Sequence, residues 1–127
     1  MNLSGIGVDI IDNSRIKKMI KNKEFIKRVF SSYEIIYSKK ISNKASFFAK
    51  RFAAKEAFSK SLGTGFRNNL SFKDIIIKND MSGKPFFYIT KKIKSIIKKK
   101  FKIKKFNFFL SISDEKNYSI AFVIFQK

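Results

Sequence analysis

Leu3-Ser-Gly-Ile-Gly-Val-Asp-Ile-Ile11 is an apolar run broken by two glycines and one acid, and it stops at Asp12 and Asn13. A short apolar run bounded by turn-forming residues predicts a buried strand. Directly after it, Asp12, Asn13 or Ser14 can cap a helix. Ile16, Met19 and Ile20 mark the core stripe of that helix, and Lys17, Lys18 and Lys21 fall opposite. Phe25, Ile26, Val29 and Phe30 continue the apolar side, and Ser31 or Ser32, followed by Glu34 and Ile35, starts a second short helix.

Outward from this beginning, the most regular pattern runs from Ser42 to Leu62. Ala45, Phe48, Ala49, Phe52, Ala53 and Ala57 recur there at spacings of three and four, which predicts one long helix ended by Gly63 and Gly65. Leu70 to Lys78 reads as a strand, Asp80 to Pro85 as a turn around Gly83, and Phe86 to Ile89 as a second short strand. Ile93, Ile96, Ile97 and Phe101 share one side of a helix from Lys91 to Lys100 whose other face is basic. Phe106–Ser113 and Tyr118–Phe125 flank a DEKN turn and form a hairpin. The order predicts an α+β fold, one small domain over residues 1–127, with an antiparallel-rich sheet packed on the long helix.

Composition removes several kinds of chemistry. The 127 residues hold no Cys and no His, so disulfides, thiolate or imidazole catalysis and Cys/His metal sites are excluded. A metal here must sit on oxygen ligands, which points to Mg²⁺ or a close relative. The formal charge is +20, from 29 basic and 9 acidic residues, and this implies an anionic partner or substrate. Of the basic residues, 25 are Lys and only Arg15, Arg28, Arg51 and Arg67 are Arg. With abundant Ile, Phe and Asn, that skew is what an AT-rich coding sequence produces, so part of the charge is compositional. The opening MNLSGIGVDII has no basic segment leading a long apolar stretch, and no apolar run approaches the roughly 18 residues of a membrane span. The expected location is the cytoplasm, without integral membrane association.

Most of the acids have ordinary roles. Asp12 is a cap, Asp80 belongs to a turn, and Glu24 and Glu34 read as charge partners on basic helices. Asp9 interrupts an otherwise apolar strand, where an unpaired carboxylate costs several kcal/mol. It is either a cap at the strand's end or a metal ligand or acid–base group, and Gly5 and Gly7 would let a backbone or ligand come close. Glu56 falls about 40° from Phe52 around the long helix, inside its apolar stripe. It either pairs with Lys60 or, with Asp9, shares a divalent cation whose other positions go to water and phosphate. Lys50, Arg51, Lys55 and Lys60 surround it in sequence. Gly63-Thr64-Gly65 and Ser82-Gly83-Lys84-Pro85 are small turns able to meet phosphate oxygens.

In this order the residues resemble the holo-[acyl-carrier-protein] synthase family of 4′-phosphopantetheinyl transferases. The similarity is carried by GIGVDIIDNSRI (5–16), FFAKRFAAKEAFSKSLGTG (47–65), LSFKDIII (70–77), GKP (83–85) and SISDEKNYSIAFVI (111–124), and it spans essentially the whole chain. The resemblance implies a 4′-phosphopantetheinyl transferase-like fold. It implies Mg²⁺ on Asp9 and Glu56, also holding the diphosphate of coenzyme A, the co-substrate. It implies that Arg51, Lys60, Thr64, Gly83, Lys84 and Pro85 line or approach the coenzyme A site. It further implies a homotrimer with active sites between subunits, and a first basic helix (Arg15, Lys18, Lys21) that receives an acidic acyl carrier protein. Many members carry a His after the Ser-x-Ser/Thr of the last hairpin; this chain has Asp114, so no role of that His transfers.

The implied reaction moves 4′-phosphopantetheine from coenzyme A to a carrier-protein serine and releases adenosine 3′,5′-bisphosphate, a step in fatty acid biosynthesis. Such a transfer asks mainly for alignment and charge neutralisation. Lys60 would stabilise charge on the leaving phosphate, and Glu56 or a water at the metal would accept the serine proton. The competing class, a basic nucleic-acid-binding module, predicts steep salt dependence and no metal requirement; no nucleic-acid partner is expected here. A peripheral membrane role for the Lys91 helix would be secondary. The nine lysines between Lys91 and Lys105 have no part in the chemistry.

Overall fold

The computed structural model describes residues 2–67 and 69–127. The chain runs through β1 (Leu3–Asp12), α1 (Asn13–Met19), α2 (Lys23–Val29), α3 (Ser32–Ser38) and the long α4 (Lys44–Ser61). A short 3₁₀ turn (Phe72–Asp74) leads into β2 (Ile76–Asn79) and β3 (Pro85–Tyr88). Then follow α5 (Lys91–Phe101), β4 (Asn107–Asp114) and β5 (Tyr118–Gln126). Antiparallel strands in the order β1-β5-β4 make one sheet, and β2 and β3 make a second, two-stranded one. This is the α+β arrangement the sequence predicts.

Small residues set how α4 lies on β1. A methyl group on Gly5 would stand 1.9 Å from the Ser61 carbonyl oxygen, and one on Gly7 would stand 1.8 Å from that of Ala57. Helix and strand therefore meet backbone to backbone, and the two glycines admit α4 rather than a ligand. Two strand residues advance about 6.6 Å and four helical residues about 6 Å. The match of Gly5 with Ser61 and of Gly7 with Ala57 thus repeats without strain. Asp9 is the next residue on that face of β1. Around this contact Phe48, Phe52, Ala53, Phe58, Val123 and Phe125 fill the core, and Phe58 stacks on Phe108 at 4.3 Å.

Local chemistry accounts for two departures from the expected elements. The helix after β1 is interrupted, because the Asn22 side chain accepts from the Glu24 N–H at 2.9 Å and starts α2 afresh. The strand expected from Leu70 is shortened to β2, since Asp74 accepts from the Ser71 N–H (2.8 Å) and hydroxyl (2.9 Å) and closes a turn. Asp12 caps α1, as expected, by accepting from the Ser14 N–H at 2.9 Å. Asn13 instead ties that corner to the β4–β5 turn, donating to the Glu115 carbonyl and accepting from the Ser119 hydroxyl at 2.7 Å.

The outer face of the three-stranded sheet is apolar and open. Ile6 (57% exposed), Val8 (51%) and Ile10 alternate outward along β1, beside Ile120 and Phe122 of β5 and Phe109 of β4. Among the described residues no helix is long and apolar enough to cross a membrane.

Candidate active site

The site grows from the β1–α4 crossing. Asp9 shares the inward face of β1 with the two glycines, and Glu56 precedes Ala57, the residue whose carbonyl Gly7 meets. Their carboxylates are close enough for the charge on Asp9 to act on Glu56. Burial first, and then that charge, hold the Glu56 carboxyl above the usual glutamate range, against the opposing pull of Lys60 and Arg15. Lys60, one turn beyond Glu56, turns to the strand. Its Nζ lies 3.1 Å from Asp9 Oδ1 and 3.0 Å from the Val8 carbonyl oxygen, so it pairs with Asp9, not with Glu56. Arg15 enters from α1 and is exposed.

Two half-buried carboxylates with cations beside them fit a hard cation that keeps water and phosphate in its remaining positions. Among the described residues no third acidic, His or Cys side chain joins them, so a closed cage of protein ligands is not what this donor set builds. The residues fit Mg²⁺ held by two carboxylates.

The other predicted site residues distribute as follows. Thr64 lies half-buried beyond the end of α4, between Gly63 (φ +75°) and Gly65 (φ +63°), conformations that favour glycine. Gly83 and Lys84 are exposed and Pro85 half-buried, in a turn that Asp80 organises. Asp80 accepts from the Ser82 N–H (2.9 Å), the Ser82 hydroxyl (2.7 Å) and the Lys84 N–H (2.9 Å). Lys18 lies on the outer side of α1 and Lys21 just past its end, both exposed. Asp114 is exposed and accepts from the Ser46 hydroxyl at 3.0 Å.

Arg51 does not face Glu56. It is 4% exposed, its guanidinium stacks 3.9 Å from the Phe47 ring centre, and it donates through Nη2 to Asn79 Oδ1 at 2.5 Å. Lys55 and Glu34 depart furthest from expectation. Neither is a surface charge: both side chains are wholly buried and form an ion pair at 2.8 Å. Lys55 also donates to the carbonyls of Phe72 (2.9 Å) and Ile75, and burial holds its pKa below the ordinary lysine value. Glu34 accepts from the N–H groups of Ser31 (2.8 Å) and Ile77 (2.9 Å). The one legible sign was the Ser31–Glu34 capping box. The other partners of Glu34, Lys55 and Ile77, stand more than twenty residues away in sequence, where no local pattern reaches. Two lysines of the basic stretch after Lys91 also have structural work: Lys100 caps the Leu62 carbonyl at the end of α4 (2.7 Å), and Lys92 pairs with Asp74 (2.8 Å).

The fold is that of the 4′-phosphopantetheinyl transferase superfamily, whose family model matches residues 5–123. The holo-[acyl-carrier-protein] synthase of Pelagibacter ubique (strain HTCC1062) is 68% identical over 127 residues, covering 100% of this chain and 99% of that protein. The Ehrlichia chaffeensis protein of the same name is 48% identical over 125 residues, covering 94% of each. The crystal structure of holo-[acyl-carrier-protein] synthase from Neisseria meningitidis superposes with a TM-score of 0.89 at 35% identity, covering 99% of this chain and 100% of that one. The Helicobacter pylori enzyme, in complex with coenzyme A, does so at 0.81 and 34%, over 95% and 99% of the two chains. The chain belongs to the holo-[acyl-carrier-protein] synthase family.

Proposed function

We infer that this enzyme transfers 4′-phosphopantetheine from coenzyme A to a serine of apo acyl carrier protein, releasing adenosine 3′,5′-bisphosphate, as a cytoplasmic step of fatty acid biosynthesis. The observation that carries the chemistry is the convergence of Asp9, Glu56, Lys60 and Arg15 at the β1–α4 crossing. Asp9 and Glu56 would hold Mg²⁺, which when bound supplies charge neutralisation for the diphosphate. Lys60 keeps Asp9 aligned and offers its N–H groups to the leaving phosphate. With Asp9 engaged by Lys60, and with no His or Cys in the chain, Glu56 is the acceptor for the serine proton. The turn at Gly83, Lys84 and Pro85, with Thr64 and the exposed Lys60, takes the phosphates of coenzyme A, whereas Arg51, buried on Phe47 and Asn79, supports that turn from behind. The Helicobacter pylori relative is a coenzyme A complex.

The carrier protein docks on Arg15, Lys18 and Lys21, exposed cations that suit its acidic helix. A homotrimer covers the apolar sheet face of Ile6, Val8, Ile10 and Phe122, a row of large side chains that a lone protomer leaves in water. Incubating the protein with coenzyme A, Mg²⁺ and apo carrier protein, and reading the carrier's mass, tests the proposal. Addition of phosphopantetheine that chelation abolishes is the expected result. Absence of any mass shift with several carrier proteins overturns it.

A further inference from the structure

The turn from Asp80 to Lys84 is shaped by its own residues: Asp80 accepts from Ser82 and Lys84, and the Gly83 N–H returns to the Asp80 carbonyl at 3.0 Å. Those bonds define the turn but do not attach it to the body of the protein. Asn79 makes that attachment. Its Oδ1 accepts from Arg51 Nη2 at 2.5 Å, and its Nδ2 donates to the Gly83 carbonyl oxygen at 3.0 Å. One planar amide thus joins a buried arginine of α4 to the glycine at the tip of the turn, where φ is +90°. Arg51 is a firm anchor, being stacked on Phe47 and sealed from water, with its Nε unpartnered among the described residues. The relay needs both an acceptor and a donor on one short side chain, which an amide has and a carboxylate or methyl lacks.

We propose that Asn79 is a positioning residue for coenzyme A, fixing the 83–85 turn against α4, the helix that carries Glu56 and Lys60. This rests on the coenzyme A site proposed above. Asn79 touches no reacting atom; it acts through Gly83 and Lys84, so its loss weakens coenzyme binding and leaves the chemical step alone.

Three variants test this, with KM for coenzyme A, kcat and melting temperature measured for each. Asn79→Ala removes both bonds. Asn79→Asp keeps the acceptor for Arg51 and loses the donor to Gly83. Lys84→Ala reports on the turn itself. The expected result is a rise in KM for coenzyme A of about fivefold or more in all three, with kcat within about twofold of the parent. Asn79→Asp is expected to melt no lower than the parent, which separates positioning from plain stability. If Lys84→Ala raises KM and the two Asn79 variants do not, the relay is overturned and the coenzyme site stands. If Lys84→Ala leaves KM unchanged, the coenzyme site at this turn is overturned, and the relay with it. A parallel fall of kcat and melting temperature in the Asn79 variants, without a KM change, reduces Asn79 to a structural residue and also overturns the proposal.

Discussion

Lys55 Nζ lies 2.8 Å from Glu34 Oε1, and neither side chain meets solvent. The pair does more than neutralise itself. Glu34 satisfies the N–H groups of Ser31 and Ile77, and Lys55 the carbonyls of Phe72 and Ile75. It therefore pins α3, α4 and the start of β2 to one another. Glu34→Gln or Lys55→Met leaves a buried charge unpaired and should cost about 3–5 kcal/mol. Some buried pairs can be exchanged for apolar residues without loss. Here the double variant Glu34→Leu/Lys55→Met would strand four backbone groups, at about 1–3 kcal/mol each, so it should not recover the parent stability. Urea denaturation of the three variants checks this; a double variant as stable as the parent would refute it.

Gly7 has no space for a side chain, because a methyl group there would stand 1.8 Å from the Ala57 carbonyl oxygen. Backbone on both sides cannot yield as a flexible side chain can. Gly7→Ala should push α4 away from β1, lower stability by about 3 kcal/mol or more and separate Asp9 from Glu56. Loss of turnover at temperatures where circular dichroism still shows folded protein would report the second effect.

Glu56→Gln removes a charge that burial and Asp9 both disfavour, so folding stability should hold or rise slightly. Turnover should fall by about 10²- to 10⁴-fold. Asp9→Asn should lose turnover as well and also free Lys60 from its partner. Near-parent activity in Glu56→Gln would remove Glu56 from the mechanism.

The two candidate acids were legible because they break a pattern: Asp9 interrupts an apolar strand, and Glu56 stands inside an apolar stripe. Their convergence follows from Gly5 and Gly7, which a local reading marks as places of close approach without saying what approaches. Glu34 breaks no pattern, since a glutamate three residues after a serine is what an ordinary helix start looks like. Its burial is decided by Lys55 and Ile77, 21 and 43 residues on, and long-range pairing of that kind leaves no local periodicity. The same holds for Arg51, a cation in a basic helix whose guanidinium is claimed by Phe47 and Asn79. The strand expected from Leu70 failed for a nearer reason, the closure of Asp74 on Ser71.

Stability should decline in acid, with a sign set by three aspartates. Hydrogen bonds from Ser14 hold Asp12 below the usual value of 3.8, and hydrogen bonds from Ser82 and Lys84 do the same for Asp80. At Asp74 burial works upward, but the hydrogen bonds from Lys92 and Ser71 outweigh it and the net shift is down. A carboxyl whose folded pKa is depressed adds stability above its unfolded value and loses it as pH falls through the folded one. Glu56, whose folded pKa is raised, works the other way above this range and gains stability as pH falls through its folded value. Below about pH 4 the three aspartates prevail, the urea midpoint should fall, and Asp74→Asn should shallow the fall. An unchanged acid limb in that variant would exclude Asp74 as a contributor.

The trimer proposed for the sheet face makes a separate demand. Val8 and Phe122 are paired in register on β1 and β5 and point outward, 51% and 41% exposed. Neither side chain takes part in the core, so a charge placed there has little effect on the protomer's own packing. Buried between subunits it would be an unpaired charge, which costs several kcal/mol per site. Val8→Asp should thus convert the particle from a trimer to a 14.8 kDa protomer in sedimentation velocity, while its circular dichroism stays that of the parent. Val8 is also the residue whose carbonyl Lys60 holds, so activity alone could not separate assembly from local damage. Phe122→Lys, on the neighbouring strand β5 and outside the bonds that Lys60 makes to Val8 and Asp9, supplies the control. If both variants dissociate and lose turnover together, the site needs a second subunit; if Phe122→Lys remains trimeric, the sheet face is not the interface.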